Sequence, residues 1–236
     1  MKKIKTLFIL ILITVISINT TFASNSDKTE YRKVKDFSGI KVSAGIDLYI
    51  TMGETEEVKI VADDDIIDEI VTEVKDGTLR IYMKQNNWFN WSVRGSRKAY
   101  VTVKELVAIN ASSGSDVRSE NTLKGESLKV KASSGSDVEI DIFYKNFSLD
   151  TSSGSDAKIS GKVKTFKAEA SSGSDIKARN LESVICKLRA SSGSDITVSV
   201  SGELYAKASS GGDIRYYGNP EIRDTDESSG GDVTQK

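Results

Sequence analysis

The 236-residue chain has no histidine and a single cysteine, Cys186. Without imidazole there is no Ser-His-Asp triad, no Cys-His pair and no histidine general base, and with one thiol there is neither an internal disulfide nor a Cys/His zinc site. Most common enzyme mechanisms are excluded with them. Charge of one sign is not in excess either: Lys and Arg number 33 against 34 Asp and Glu. On that balance no polyanion-binding surface is expected, and nucleic acid is not an expected partner. A long hydrophobic run is also missing, the longest being Leu7 to Ile18. At about 1.5 Å per residue it spans only about 18 Å of a hydrocarbon core about 30 Å thick, so no stable membrane span is expected.

That short run is flanked by Lys2, Lys3 and Lys5 before it and by Thr21-Phe22-Ala23 after it. Basic, apolar and small-residue regions in this order are the layout of an export signal, here residues 1–23. Removing it leaves 30 bases against 34 acids, a net charge of −4. No Cys follows the run to take a lipid. The expected location of the mature chain is the periplasm, the cell surface or the medium.

What the chain has in abundance is itself. Ser-Ser-Gly-Ser-Asp occurs five times, from Ser112, Ser133, Ser152, Ser171 and Ser191, and Ser-Ser-Gly-Gly-Asp twice, from Ser209 and Ser228. The spacing of the motif glycines, Gly114 to Gly230, runs between 18 and 21 residues. Seven, five and three positions before them stand Val107, Ile109, Ala111; Leu128, Val130, Ala132; Phe147, Leu149, Thr151; Phe166, Ala168, Ala170; Cys186, Leu188, Ala190; and Leu204, Ala206, Ala208. The residues between, Lys129, Lys131, Asp150, Lys167, Glu169, Lys187, Arg189 and Lys207 among them, are polar. Such alternation predicts a strand with one buried face. After each motif Asp an apolar residue returns, Val117, Val138, Ala157, Ile176, Ile196, Ile214 and Val233, so a second strand starts at the corner. The pattern predicts an all-β chain, a right-handed parallel β-helix with coils of about 19 residues. Leu128, Phe147, Phe166, Cys186 and Leu204 should form one interior column, which makes Cys186 a buried hydrophobe rather than a nucleophile.

Residues 24–105 read as a less regular β segment of the same domain, and residues 106–236 as the regular coils. Asp76-Gly77 signals a hairpin, and Asp63 to Ile70 has room for a helical turn or two. Ser43-Ala44-Gly45-Ile46-Asp47-Leu48 matches Ser112 to Val117 as a degenerate eighth corner. Asn86-Asn87-Trp88-Phe89-Asn90-Trp91 then interrupts the pattern. Phe37 to Leu48, Asp76 to Ile81, the Ser-Gly-x-Asp string and Tyr216-Tyr217-Gly218-Asn219-Pro220 together resemble the head GIN domain family of auto-transporter adhesins, with Gly45-Ile46-Asp47 where the family has Gly-Ile-Asn. The resemblance covers almost the whole mature chain and implies an exported β-helical protein of a bacterial envelope. It brings no catalytic residues with it.

Two constellations are candidates for chemistry. Asp116, Asp137, Asp156, Asp175, Asp195, Asp213 and Asp232 form a corner ladder in which neighbours about 5 Å apart repel. Calcium could bridge them, but a calcium roll needs its motif every nine residues so that both sides of a coil contribute ligands. A spacing near 19 supplies one side, so the expected role is structural: the carboxylates accept turn hydrogen bonds and face lysines such as Lys158 and Lys177. No metal and no cofactor are expected. Trp88, Phe89 and Trp91 suit a glycan or an envelope protein as partner, or cover an end or flank of the core; both roles fit the residues. Polysaccharide lyases and hydrolases also use parallel β-helices, but they build clefts from long inserted loops for which these coils leave no room. The expected function is therefore a non-enzymatic binding or scaffold module, an adhesin in terms of the resemblance, with an envelope polysaccharide lyase or hydrolase as the alternative.

Overall fold

The computed structural model describes residues 27–84 and 95–236. The export signal expected at residues 1–23 and the aromatic cluster Trp88, Phe89 and Trp91 lie outside the described residues. Strands β1 (Asp27–Arg32), β2 (Gly39–Val42), β3 (Asp47–Met52) and β4 (Glu57–Asp63) lead through one helical turn, α1 (Asp64–Ile67), to β5 (Ile70–Lys75) and β6 (Thr78–Met83). Then come β7 (Arg97–Val103), β8 (Ala108–Ser112) and β9 (Val117–Ser119). Five long strands follow, the last four each running from one corner to the next: β10 (Leu123–Ser133), β11 (Asp137–Ser152), β12 (Asp156–Ala170), β13 (Asp175–Ser191) and β14 (Asp195–Ser209). The order ends with β15 (Asp213–Tyr217), β16 (Ile222–Ser228) and β17 (Asp232–Gln235).

From β10 onward each coil pairs in parallel with the next, and the pairing register is the sequence period: Phe147 lies beside Phe166, Cys186 beside Leu204, Asp137 beside Asp156. The architecture is a parallel β-helix. Its interior repeats the alternation seen in the sequence, with Leu128, Phe147, Phe166, Cys186 and Leu204 all buried in one column. Within it the rings of Phe147 and Phe166 stack 5.3 Å apart at 10°, the spacing that successive strands impose. One interior assignment is corrected. Val107 is 41% exposed and Leu106 is buried instead. The reason is that β8 begins only at Ala108, so strand alternation does not extend back to residue 107.

The eighth corner, at Ser43 to Asp47, joins the stack out of sequence order. Strand β2 pairs with both β6 and β8, and β3 with both β7 and β9, all in parallel. The first coil in the chain is thus sandwiched between two later ones. Beyond it the parallel order stops. Asp76 and Gly77, both left-handed (φ 51° and 68°), reverse β5 onto β6, and β4 pairs antiparallel with both β7 and β1. The turn α1 connects β4 to β5, and its Ile66 and Ile67, with Ile70, are buried at this end of the core. Arg32 donates to the Ile67 carbonyl at 2.9 Å, satisfying one of the free carbonyls of that turn.

At the other end the interior pattern turns polar. Seven, five and three residues before Gly230 stand Arg223, Thr225 and Glu227, where earlier coils carry apolar residues. Arg223 donates to the hydroxyl of the buried Tyr216 at 3.0 Å and lies over its ring. A terminal coil with a polar outer surface leaves no apolar core open to water.

Each corner turns on two successive left-handed residues, the second Ser and the Gly: Ser113 and Gly114 (57° and 70°), Ser153 and Gly154 (56° and 67°), and likewise Ala44 and Gly45 (68° and 66°). A side chain in that conformation costs about 1–2 kcal/mol, so each corner stores strain at its Ser. What offsets it is repetition. The glycine N–H of one coil donates to the second-Ser carbonyl of the next, from Gly45 to Ser113 at 3.0 Å through Gly114 to Ser134 at 3.1 Å to Gly211 and Ser229 at 3.3 Å.

The third Ser has a different job. Ser115, Ser136, Ser155, Ser174 and Ser194 are completely buried. The Oγ of Ser155 accepts from the Ser152 N–H at 3.1 Å and faces the carbonyls of Ala132 and Ser152 at 2.9 and 2.8 Å, filling the inside of the turn. In the last two corners Gly212 and Gly231 replace it. Their N–H groups bond directly to Ser209 and Ser228 at 3.0 Å, so the backbone moves into the space a side chain held. A β-carbon at Gly212 would lie 2.6 Å from the Ala190 carbonyl carbon and 2.7 Å from the Ser191 nitrogen.

Two adjacent glycines therefore carry opposite constraints. Gly211 needs its left-handed φ of 72°, but a β-carbon there would meet nothing, so Gly211→Ala should cost about 1–2 kcal/mol. Gly212 would drive a β-carbon into the backbone of the coil below, and Gly212→Ala should cost about 3 kcal/mol or more. Urea unfolding of the two variants checks this; equal midpoints would contradict the close approach at residue 212.

Candidate functional site

The coils present two long outer faces, one before the corner and one after it. On the second, six motif Asp residues, Asp137 to Asp232, open their strands and line up coil by coil in the pairing register, and Asp116 immediately precedes β9. Two residues further on a second column runs parallel to the first: Arg118, Glu139, Lys158, Lys177, Thr197, Arg215 and Thr234. The guanidinium of Arg215 bridges Asp195 and Asp213 at 3.1 and 3.0 Å, and Lys177 lies 3.6 Å from Asp156 and 3.9 Å from Asp175. Arg118 reaches Asp116 at 3.9 Å. Lys158 is a departure from the expected pairing. It bonds Glu139 at 2.6 Å, and that contact holds the Glu139 carboxyl below the usual range. These side chains are a third to two thirds exposed, so each pair stabilises little, but together the two columns break the line of like charge.

Among the described residues no group of three or more Asp, Glu or Cys could hold a metal ion. Trp88, Phe89 and Trp91 lie in the chain between β6 and β7, outside the described residues. The adjacent tyrosines of the Tyr216-Tyr217-Gly218 segment separate. Tyr216 belongs to the core, whereas Tyr217 is outside it with the Arg179 guanidinium 4.2 Å above its ring.

An aromatic stack that sequence reading missed stands on the outer face near the first coil. Tyr49 and Tyr100 stack at 4.9 Å and 15°, with the Lys59 ammonium 4.2 Å from the Tyr100 ring. Their mutual packing and the lysine occupy ring faces that a sugar would need. The signal was hidden because β3 and β7 are far apart in the chain yet neighbours in the stack.

Depressions on the molecule are shallow and lie on the sheet faces. One of about 500 Å³ is lined by Lys167, Lys187, Arg189, Tyr205, Lys207 and Asp226. Another of about 350 Å³, mostly apolar, lies over Val107, Leu128 and Phe147. Among the described residues the alignment of outward side chains in columns builds extended surfaces, and these depressions lie open on them.

Cys186 is fully buried, and burial pushes its thiol up to about 11 despite a Ser183 hydroxyl at 2.9 Å. Tyr144 is likewise pushed up to about 12 by burial, while its hydroxyl donates to the Leu106 carbonyl at 2.8 Å. Neither group is prepared for chemistry at neutral pH. Both acids hold their protons more tightly in the folded state, so stability is fully present below the unfolded pKa values, about 9 for the thiol and 10 for the phenol, and is lost as pH rises through about 11 and 12. Urea midpoints should fall between pH 9 and 12. Cys186→Ala should flatten the decline between pH 9 and 11 and cost about 1–3 kcal/mol at neutral pH as a small cavity. Rapid labelling of the native thiol by a thiol reagent would contradict the buried placement.

Comparison with known proteins points one way. A family model described as "Putative auto-transporter adhesin, head GIN domain" matches residues 36–220. No curated protein matches the chain. Among solved structures, a putative adhesin from Bacteroides fragilis superimposes with a TM-score of 0.82 at 22% identity, covering 90% of this chain and 98% of that one. A putative adhesin from Parabacteroides merdae gives a TM-score of 0.70 at 17% identity over 90% and 97% of the two chains. A putative lipid binding protein from Parabacteroides distasonis gives 0.69 at 20% identity over 89% and 98%. At these identities the likeness is one of fold.

Proposed function

Because the chain belongs to the head GIN domain family, we propose that it is an exported, non-enzymatic binding or scaffold protein of the bacterial cell envelope, an adhesin in the family's terms. The observation that carries this reading is the form of the surface. Coils of 18 to 21 residues, with no inserted loops from β10 to β14, set side chains in continuous columns on open sheet faces. Such faces suit an extended glycan or an envelope protein, whereas bond cleavage needs groups converging on one reacting atom. The acidic residues of the corner ladder are spread along the axis instead, and five of the seven, Asp116, Asp156, Asp175, Asp195 and Asp213, stand beside a basic neighbour.

Residues 1–23 direct export in this reading, and the basic n-region with its twelve-residue apolar run supports it. No helix among the described residues is long and apolar enough to cross a membrane. Trp88, Phe89 and Trp91 remain part of the proposed binding surface on composition alone.

Two measurements test the proposal. A chain carrying a C-terminal epitope, expressed in a bacterial host, should be recovered outside the cytoplasm and shorter by about 23 residues; a full-length cytoplasmic product would refute export. The purified mature chain should bind isolated envelope material saturably and release no reducing ends or unsaturated sugars from it. Steady product release would show the lyase or hydrolase reading to be right.

A further inference from the structure

The two outer faces differ in charge, and the overall balance of the chain conceals it. After the corner, the seven ladder aspartates and Glu139 stand against four bases, Arg118, Lys158, Lys177 and Arg215. Before the corner, the outward columns from β10 to β14 are Lys129, Ser148, Lys167, Lys187, Tyr205 and Lys131, Asp150, Glu169, Arg189, Lys207. Six of those ten side chains are cationic and two are acidic; two further acids, Asp224 and Asp226, close the columns on β16. The expectation that no polyanion-binding surface exists followed from a net charge, which averages over faces that a solenoid keeps apart.

Internal pairing does not neutralise the patch. Lys129 and Lys131 share Asp150 at 3.9 Å, Lys167 is held by Glu169 at 2.8 Å, and Lys207 by Asp226 at 2.5 Å. Lys187 and Arg189, in the middle, have no ion pair among the described residues; the Lys187 ammonium lies 5.7 Å from the Tyr205 ring. Both line the depression of about 500 Å³, with Lys167, Lys207 and the acids Glu169, Asp224 and Asp226 around them. Position, charge and concavity therefore coincide at one place.

The shape of the patch selects its occupant. Coils about 4.8 Å apart spread the columns over about 19 Å along the axis, while two residues along a strand separate them by only about 7 Å. A strip of that form matches a linear polymer with repeating negative charge. A membrane surface would call for a row of exposed apolar side chains beside the cations; among the described residues the large exposed hydrophobics Tyr31, Phe143, Val184 and Ile222 stand outside both columns, and Val107 alone borders them, at the depression it lines with Lys129 and Lys167. Single-stranded nucleic acid would call for a series of free aromatic faces, and Tyr205 is the one aromatic in the columns.

We propose that the face before the corner binds an extended anionic polysaccharide lying along the axis of the β-helix, with Lys187 and Arg189 as its unneutralised centre. This rests on the reading of the chain as a binding protein and names its ligand class. Sulfate or carboxylate on the polymer would supply the same charge, and the cations receive it through salt-sensitive contacts.

The test uses the mature chain, residues 24–236, titrated calorimetrically at low ionic strength with dextran sulfate, polygalacturonate and neutral dextran. At least one of the two polyanions should bind, the one that does identifying sulfate or carboxylate as the recognised group, with affinity falling as salt rises; neutral dextran should not. Charge reversal by Lys187→Glu with Arg189→Glu should weaken binding about tenfold or more. Lys158→Glu with Lys177→Glu, on the other face, should change it less than about twofold, and circular dichroism establishes that both variants fold. Equal losses in the two variants would overturn the assignment, as would tighter binding to phosphatidylglycerol vesicles or to single-stranded DNA than to either polysaccharide. If neither polyanion binds while the chain still captures envelope material, this proposal fails and the wider reading stands; if envelope capture fails too, both fail.

Discussion

In the regular coils the corners and the strands that lead into them sit directly above their counterparts one period away, with register shifts confined to Lys158–Ser160, Ala178–Glu182 and Ser183–Ile185, and the structure depends on that constraint. Interlayer hydrogen bonds from Gly114 to Ser134, Gly135 to Ser153 and onward require consecutive corners to adopt one conformation. A residue choice that is mildly unfavourable once, such as a left-handed serine, is then repeated seven times. It is tolerated because the same geometry delivers a bond to the next coil at each step. Parallel pairing on this scale also fixes what the interior can hold: aromatic on aromatic at Phe147 and Phe166, small on small at Ala132, Thr151, Ala170 and Ala190.

The constraint has an electrostatic counterpart on the outside. Like charges stacked about 4.8 Å apart repel, and the two faces handle this differently. After the corner, Lys177 and Arg215 each serve aspartates of two coils, so the repulsion is relieved between columns. Before the corner, relief is incomplete, because the acids Asp150, Glu169 and Asp226 are spread around Lys187 and Arg189 without pairing them. A fold with one repeated backbone thus displays two chemically distinct surfaces, and the family's description as adhesins sits naturally with a molecule that is mostly surface.

How much of this was legible in the sequence follows from which interactions are periodic. The strands, the interior column and the eighth corner at Ser43 to Asp47 could be read because each repeats or matches a repeat. The hairpin at Asp76-Gly77 was legible from local chemistry. What escaped was non-periodic or non-sequential: the placement of β6 and β7 against the first coil, the Tyr49 and Tyr100 stack that follows from it, and the early end of alternation at Val107. Two features were present in the letters but unread. Across the seven Ser-Ser-Gly-x-Asp corners Ser155 and its equivalents are exchanged only for glycine, as suits a site filled either by a buried hydroxyl or by the backbone itself, and Arg223, Thr225 and Glu227 mark the last coil as a lid.

The out-of-order first coil bears on how the chain assembles. Strands β2 and β3 find their neighbours only when residues 78–83, 97–103 and 108–119 have joined them, so no coil is complete until about half the chain is available. On a chain emerging N-terminus first, β1 with β4 and β5 with β6 have partners early, whereas the first coil waits for both of its flanking coils. From there each later coil has a finished template and adds locally, with short loop closures and little entropic penalty. The regular coils, paired only with their sequence neighbours, can also start among themselves, and extension toward the C-terminus ends at Arg223 and the polar last coil.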